Sequence, residues 1–180
     1  MIKSVGIYCS SYEDIAEKFF DEARLLAKWI GTTGKELVYG GTNRGMMQVI
    51  ASTVKSNGGD VTGVIPQSIL DRGLVSDTLD RKVVSQSLSD RKDILIELSD
   101  VIVVMPGGFG TLDEAFNTIA QRKLGYHQKE VLFCNINGIY DDMFSSINRL
   151  YAENFAPLEY KNYYKVFSGV TDLIKYLETL

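Results

Sequence analysis

The sequence predicts an α/β fold, a three-layer Rossmann-like arrangement in which a mostly parallel sheet of about seven strands carries helices on both faces. Strand-like and helix-like segments alternate along the whole chain, as parallel sheets with right-handed crossovers require. The run Val101–Met105 is apolar at every position, which is typical of a central strand buried on both faces. No repeat, low-complexity tract or linker interrupts the 180 residues, so we expect a single domain, 1–180.

The first strand and helix are predicted from apolar spacing. Val5–Cys9 is a short apolar run that predicts the first strand. Ser11 with Asp14 resembles a helix N-cap, and Gly31 and Gly34 are suited to end that helix. The helix itself is predicted from a stripe of apolar residues at i+3/i+4 spacing: Ile15, Phe19, Ala23, Leu26 and Ile30.

The next three strands are short and are separated by turn residues. A helix is predicted at Met46–Val54, after a glycine-rich turn at Gly40–Gly45. Pro66 ends one of the strands, and the polar stretch Gln67–Asp80 is predicted to be irregular. The strands are predicted at Leu37–Tyr39, Val61–Ile65 and Lys82–Val84.

The second half of the chain continues the alternation. Strands are predicted at Val101–Met105, Val131–Cys134 and Val166–Phe167. Helices are predicted at Leu88–Ser99, Leu112–Leu124, Tyr140–Tyr151 and Thr171–Leu180.

Composition excludes several classes of function. The chain has one histidine, His127, and two cysteines, Cys9 and Cys134, which excludes multi-histidine zinc sites, zinc fingers and HExxH hydrolases. We therefore expect no metal and no cofactor, and chemistry carried by carboxylates, Arg or Lys, and backbone dipoles. The net charge of −4 gives no basic surplus for a nucleic acid polymer, although a small anion needs only two or three local cations. Met1–Gly6 contains no signal-peptide pattern and the longest apolar runs are too short to span a bilayer, so we expect a cytoplasmic protein without membrane association.

Three turns follow predicted strands and are candidates for ligand binding. They are Ser10–Ser11, Gly40–Gly45 and Gly107–Gly110, and ligands of open parallel sheets bind beyond the carboxyl ends of the strands. The third turn is the most informative, because three glycines precede a helix whose free N–H groups and positive dipole end favour a phosphate. The alternative is that these glycines only make tight turns. Neither a complete GxGxxG nor a P-loop is present.

Two groups of charged residues lie near helix starts. Thr111 and Glu114 have the spacing of a capping box, in which Glu114 would accept from the Thr111 N–H. Alternatively, Glu114 faces the neutral or incipiently cationic part of a ligand, such as a sugar that loses its base. Arg91 and Lys92 either tolerate an unfavourable helix dipole in solvent or bind an anion or a sugar hydroxyl.

These residues together resemble a known family. Pro106–Glu114 matches the PGGxGTxxE signature of the LOG (Lonely Guy) family, phosphoribohydrolases that were long described as lysine decarboxylase-like. The resemblance extends over most of the chain. It includes Cys9–Ser11, Leu37–Gly41, Gly45–Met47, Gly63–Pro66 and Leu124–His127.

The resemblance implies a Rossmann-like enzyme, usually a homodimer, that hydrolyses the N-glycosidic bond of AMP or of a cytokinin riboside 5'-monophosphate. The products would be the free base and ribose 5-phosphate, with no metal or cofactor. Arg91 and Glu114 would be the catalytic residues. The remaining positions, implied to bind the nucleotide, are Ser10, Ser11, Gly40, Gly41, Gly45, Asp90, Lys92, Gly107, Gly108, Phe109, Gly110, Thr111, Leu112 and Asp113.

The chain departs from the family pattern at two places. Ser89 and Asp90 stand where the family has histidine and glutamate, and Thr42 replaces the third glycine of the second turn. Arg91 and Lys92 are retained, so the implied catalytic pair is complete. The rival interpretation is a non-catalytic carrier of a phosphorylated, nucleotide-like ligand, since molybdenum-cofactor carriers resemble this fold.

Overall fold

All seven strands join one parallel sheet. The computed structural model describes residues 1–180, and the strand order is β4-β3-β2-β1-β5-β6-β7. Every pairing of neighbouring strands is parallel, which confirms the predicted Rossmann-like α/β fold. The sheet, predicted to be mostly parallel, is entirely parallel. The strands are β1 Ser4–Tyr8, β2 Glu36–Tyr39, β3 Asp60–Pro66, β4 Arg81–Ser85, β5 Val101–Val104, β6 Glu130–Cys134 and β7 Lys165–Phe167.

Seven α-helices connect or follow these strands. They are α1 Glu17–Thr32, α2 Gly45–Ser56, α3 Gln67–Leu70, α4 Leu88–Leu98, α5 Phe109–Lys123, α6 Asp141–Ala152 and α7 Val170–Leu177. Single 3₁₀ turns lie at Ile136–Gly138 and Leu158–Asn162. None of the helices combines the length and the apolar character that crossing a bilayer would require.

The helices form two layers because alternate residues of each strand face opposite sides of the sheet. Val5 and Ile7 of β1 pack with α1, α2 and α7 in one cluster of buried side chains. Tyr8 of the same strand packs on the other face in a second cluster, with Leu95 of α4 and Ala115 of α5. The helices α4 and α5 therefore lie side by side on one face, which is the arrangement that the candidate site requires.

Three local predictions are wrong. The N-cap of α1 is Ala16 and makes no side-chain hydrogen bond, so Ser11 and Asp14 precede the helix instead of capping it. The helix α5 begins at Phe109 and not near Leu112, because the glycines of the third turn continue directly into the first helical turn. The segment predicted to be irregular after β3 contains the one-turn helix α3.

The point at which the strand order reverses lies between β1 and β5. Successive strands β2, β3 and β4 lie on one side of β1, and β5, β6 and β7 lie on the other. Beyond the strands, the Ser10 N–H donates to the Pro106 carbonyl at 3.1 Å, which holds the first and third candidate turns together. Such a reversal opens a crevice at the carboxyl edge, the usual ligand position in this class of sheet.

Candidate active site

The crevice between β1 and β5 contains a cavity of about 270 Å³, which we call the central cavity. Its lining brings together residues from the first and third turns with the two residues implied to be catalytic. Those predicted residues are Ser10, Ser11, Arg91, Gly108, Phe109, Gly110, Thr111 and Glu114. Three further residues line it that the sequence did not single out for ligand contact: Cys9, Tyr12 and Met47. Cys9 and Tyr12 flank the Ser10–Ser11 turn, and Met47 lies in the first helical turn of α2. These positions are the signal that could have identified them.

Glu114 and Arg91 form a buried ion pair at one wall of the central cavity. The Arg91 Nη1 donates to the Glu114 Oε1 at 2.5 Å, and the two side chains are only 13% and 7% exposed. Glu114 Oε2 accepts no hydrogen bond from the protein. The pair therefore keeps one carboxylate oxygen free at a site largely shielded from water.

The capping-box interpretation of Glu114 is wrong. The N-cap of α5 is Gly108, and Glu114 sits in the second turn with its carboxylate directed to Arg91 instead of to the Thr111 N–H. Burial raises the pKa of the Glu114 carboxyl above its ordinary value of 4.5, and the Arg91 guanidinium opposes that rise. A buried carboxylate with one cationic partner is typical of functional sites.

Arg91 is held in place by the ends of neighbouring strands. Its Nε donates to the Val64 carbonyl in β3 at 3.0 Å, while Nη1 is bound by Glu114. A Cβ placed on Gly40, at the end of β2, would lie only 2.3 Å from the Arg91 Nη2. Gly40 is therefore needed for the guanidinium to pass the second turn and reach Glu114.

Replacing Gly40 by Ala should reduce activity strongly. The added methyl would lie 2.3 Å from the Arg91 Nη2 and 3.2 Å from the Met47 Sδ, so the guanidinium must shift, and that shift disturbs its contact with Glu114. Because small misplacements of a catalytic group can cost about a hundredfold, we expect a loss of that order in base release. The measurement is the initial rate on AMP, with thermal unfolding as the test of folding.

Gly169→Ala is the matched control for this substitution. The nearest atom to a Cβ at Gly169 is the Glu22 Oε2 at 3.7 Å, an ordinary contact far from the crevice. The control should retain wild-type rates. Retention of the wild-type rate by the Gly40 variant would show that Arg91 does not need its observed position.

The third turn presents unpaired backbone N–H groups to the central cavity. The first helical hydrogen bond of α5 is from the Leu112 N–H to the Gly108 carbonyl, so the N–H groups of Phe109, Gly110 and Thr111 have no helical acceptor. No side chain caps this end of the helix. The arrangement has the geometry and the dipole polarity of an anion site.

The glycines of this turn have different roles. Gly107 is required by packing, since a Cβ there would lie 2.1 Å from the Thr111 Oγ1. Gly108 and Gly110 have open space where a Cβ would stand, so an incoming ligand can approach the backbone closely. The Tyr140 hydroxyl accepts from the Gly107 N–H at 2.8 Å and donates to the Met105 carbonyl at 2.9 Å, which fixes the turn from below.

The remaining predicted residues lie outside the lining of the central cavity. Lys92 donates to both carboxylate oxygens of Asp113 at 3.0 Å, a second link between α4 and α5. Asp90 accepts from the Gln86 N–H at 2.7 Å at the start of α4. Leu112 packs in the core, Gly41 lies over Ile65, Gly45 packs on the backbone of the first turn, and Gly107 borders a neighbouring cavity.

Two further cavities adjoin the central one. The α1 cavity, about 490 Å³, shares Ser10, Tyr12 and Gly108 with the central cavity and extends toward the start of α1. The α3 cavity, about 280 Å³, shares Ser11, Met47 and Arg91 with it. The third turn thus borders the central and α1 cavities, whereas Arg91 borders the central and α3 cavities.

The histidine and the cysteine near these elements are poor candidates for nucleophile or base. His127 Nδ1 accepts from the Lys129 N–H, so its proton lies on Nε2, which donates to the Thr118 carbonyl. Burial also lowers the pKa of the imidazole. Cys9 reaches the central cavity, but burial raises the pKa of its thiol. Both side chains therefore stay neutral, and we assign them structural roles.

Comparison with known proteins gives consistent results along the chain. A family model described as "Possible lysine decarboxylase" matches residues 47–177. A rice (Oryza sativa subsp. japonica) relative, named probable cytokinin riboside 5'-monophosphate phosphoribohydrolase LOGL9, is 31% identical over 98% of this chain and 78% of that protein. The Arabidopsis thaliana cytokinin riboside 5'-monophosphate phosphoribohydrolase LOG5 is 30% identical over 98% of this chain and 77% of its own length.

Similar solved structures show that the fold is shared. A molybdenum cofactor binding protein from Rippkaea orientalis superposes with a TM-score of 0.74 at 22% identity, over 99% of this chain and 97% of that one. A Moco carrier protein from Chlamydomonas reinhardtii gives a TM-score of 0.74 at 23% identity, with the same coverage.

Proposed function

Because the chain belongs to the LOG family, we propose that it is a phosphoribohydrolase that cleaves the N-glycosidic bond of a nucleoside 5'-monophosphate. The proposed substrates are AMP or a cytokinin riboside 5'-monophosphate, and the products are the free base and ribose 5-phosphate. The observation that carries this proposal is the buried Arg91–Glu114 pair beside an unpaired helix N-terminus. The ion pair is suited to bind a ribose, and the helix N-terminus is suited to bind its phosphate.

The 5'-phosphate would bind at the start of α5. The N–H groups of Phe109, Gly110 and Thr111 have no acceptor in the protein and are available to the phosphate oxygens, and the helix dipole adds positive potential. Glu114 lies one turn further along the same helix, with its charge balanced by Arg91. This spacing keeps the carboxylate away from the phosphate, which it would repel, and close to the ribose.

Cleavage builds positive charge on the ribose ring as the base departs with the electron pair of the glycosidic bond. The free Oε2 of Glu114 would stabilise that charge, and a fixed charge is most effective at a site shielded from water. Water then adds to C1' and releases a proton, while the departing base takes one up. Arg91 favours the ionised form of Glu114 and, through its Nη2, is available to the ribose.

The decarboxylase description of the matched family model is not supported by the lysines near the site. Lys92 is the one lysine on α4 beside the pair, and its ammonium group is bound by Asp113 outside the central cavity. Schiff-base chemistry would need a desolvated lysine that faces the substrate. For the assembly, we propose a homodimer, as the family resemblance implies, in line with the exposed apolar side chains Leu88, Phe109 and Phe116 on α4 and α5.

The test is incubation of the protein with AMP, followed by chromatography of the products. We expect adenine and ribose 5-phosphate in equal amounts, in a reaction that EDTA leaves unchanged. Adenine release without ribose 5-phosphate would contradict hydrolysis at the glycosidic bond. If the wild-type protein binds the nucleotide and returns it intact, the carrier interpretation replaces the enzymatic one.

A further inference from the structure

The backbone that leads from β5 into the third turn is held by hydrogen bonds on both sides. The Pro106 carbonyl accepts from the Ser10 N–H at 3.1 Å, and the Gly107 N–H donates to the Tyr140 hydroxyl at 2.8 Å. This carbonyl and this N–H belong to one peptide unit, which is planar, so its orientation is fixed at both polar ends. The direction in which the chain enters the third turn therefore depends on these two contacts.

The surroundings of Tyr140 hold its hydroxyl at this peptide unit. The hydroxyl accepts from Gly107 and donates to the Met105 carbonyl at 2.9 Å, so it joins the end of β5 to the beginning of the turn. The side chain is buried, its ring meets the Phe133 ring edge-on, and its own N–H donates to the Asn135 Oδ1 at 2.8 Å. Burial raises the pKa of the hydroxyl, which consequently remains protonated and able to donate.

The third turn needs such a support because two of its glycines give it conformational freedom. Gly108 and Gly110 have open space where a Cβ would stand, and no side chain caps the start of α5. A glycine backbone has many accessible conformations, whereas an anion site needs several N–H groups that converge on one position. A fixed peptide unit at the entrance of the turn limits that freedom before the ligand arrives, which lowers the cost of binding.

We infer that Tyr140 is a positioning residue for the 5'-phosphate: by holding the Pro106–Gly107 peptide unit, it sets the directions of the free N–H groups of the third turn. Tyr140 lines neither the central cavity nor the α1 cavity, and its hydroxyl makes no hydrogen bond to Arg91 or Glu114. It therefore acts on the affinity for the phosphate and not on cleavage of the glycosidic bond. This inference rests on the proposed function and adds a residue behind its phosphate site.

The test is Tyr140→Phe, which removes only the hydroxyl. We expect the KM for AMP and the dissociation constant of ribose 5-phosphate each to rise about tenfold, roughly the loss of one hydrogen bond to a charged group. The kcat at saturating AMP should stay within about a factor of two of the wild type, because the Arg91–Glu114 pair is untouched. Initial rates give the kinetic constants, and calorimetry gives the binding of ribose 5-phosphate.

Tyr151→Phe is the matched control. Tyr151 is also buried, and its hydroxyl pairs with the Tyr164 hydroxyl at 3.2 Å, away from the third turn. The control loses the same atom, so thermal unfolding shows how much stability each substitution costs, while both constants should keep their wild-type values. Asn135→Ala is a second variant that leaves the Tyr140 hydroxyl in place but releases its backbone, and it should raise both constants by a smaller factor.

The binding of ribose 5-phosphate separates this inference from the proposed function, because it requires no turnover. Weaker binding by Tyr140→Phe than by the control supports the inference even if AMP is not hydrolysed, a result that would overturn the proposed function alone. Hydrolysis of AMP with equal affinities for ribose 5-phosphate in wild type, variant and control would overturn the inference alone. A fall in kcat in place of the rise in KM, or a rise in KM without weaker binding of ribose 5-phosphate, would also overturn it.

Discussion

Glu114→Gln should lower the rate of adenine release from AMP by at least about a hundredfold, the usual cost of removing one group that stabilises transition-state charge. The amide keeps the size of the carboxylate and can still accept from Arg91, so the fold and the binding of AMP should be retained. The expected result is therefore a loss in kcat with little change in KM. Initial rates by chromatography and AMP binding by calorimetry measure the two quantities.

The control for this substitution is Glu97→Gln. Glu97 is exposed near the C-terminal end of α4, and its side chain makes no hydrogen bond, so the variant loses the same charge without touching the crevice. Its rate should equal that of the wild type. An unchanged rate in Glu114→Gln would remove the proposed mechanism, although the enzyme could still hydrolyse nucleotides by another route.

The pH dependence provides a second signature of Glu114. The ionised carboxylate is the form that stabilises positive charge, so activity should fall as the pH decreases through its pKa. Burial raises that pKa above the ordinary 4.5, and the acid limb of kcat/KM should accordingly lie above pH 4.5. The residual activity of Glu114→Gln should lack this limb.

Arg91→Gln should destabilise the protein and abolish most of its activity. The substitution leaves the buried Glu114 without its cation, a change that typically costs about 3–5 kcal/mol in the free energy of unfolding. It also removes the group that opposes the burial-raised pKa of Glu114, so the carboxyl should titrate at still higher pH. Chemical denaturation measures the first effect and the pH profile of residual activity measures the second.

A double-mutant cycle distinguishes the pair from two independent side chains. The variant with both Arg91→Gln and Glu114→Gln has no uncompensated charge, so its destabilisation should be smaller than the sum of the single effects by about 1–3 kcal/mol. The exposed pair Asp172–Lys175 is the matched control and should show much smaller coupling. Additive single effects at Arg91 and Glu114 would contradict a buried interaction between them.

Much of the architecture could be predicted from local patterns. All seven strands were predicted in the correct order along the chain, because apolar runs bounded by Gly, Pro or Ser are a local signal. Val101–Met105 was correctly predicted as central, since burial on both faces requires an apolar side chain at every position. The starts of α1 and α5 were missed because capping spacings also occur where no cap forms.

The chemical role of Glu114 could be narrowed by sequence but not decided. Its spacing from Thr111 fits a capping box as well as a ligand contact, and both interpretations use only local residues. The competing partner, Arg91, lies 23 positions earlier and reaches Glu114 only because α4 and α5 pack side by side. Likewise, nothing local predicts that Gly40 must lack a side chain for Arg91 to pass.

The sequence by itself determined the class of fold, the three turns at the carboxyl edge and the absence of the residues that a multi-histidine or multi-cysteine metal site needs. These properties follow from composition and from periodicity, which depend on residues close together in the chain. The tertiary structure decided that Glu114 is paired instead of capping and that Lys92 is bound by Asp113. It also decided that the Arg91 Nε is bound by the Val64 carbonyl. These are properties of contacts between distant segments, and the strand order that brings those segments together is set by packing across the whole sheet.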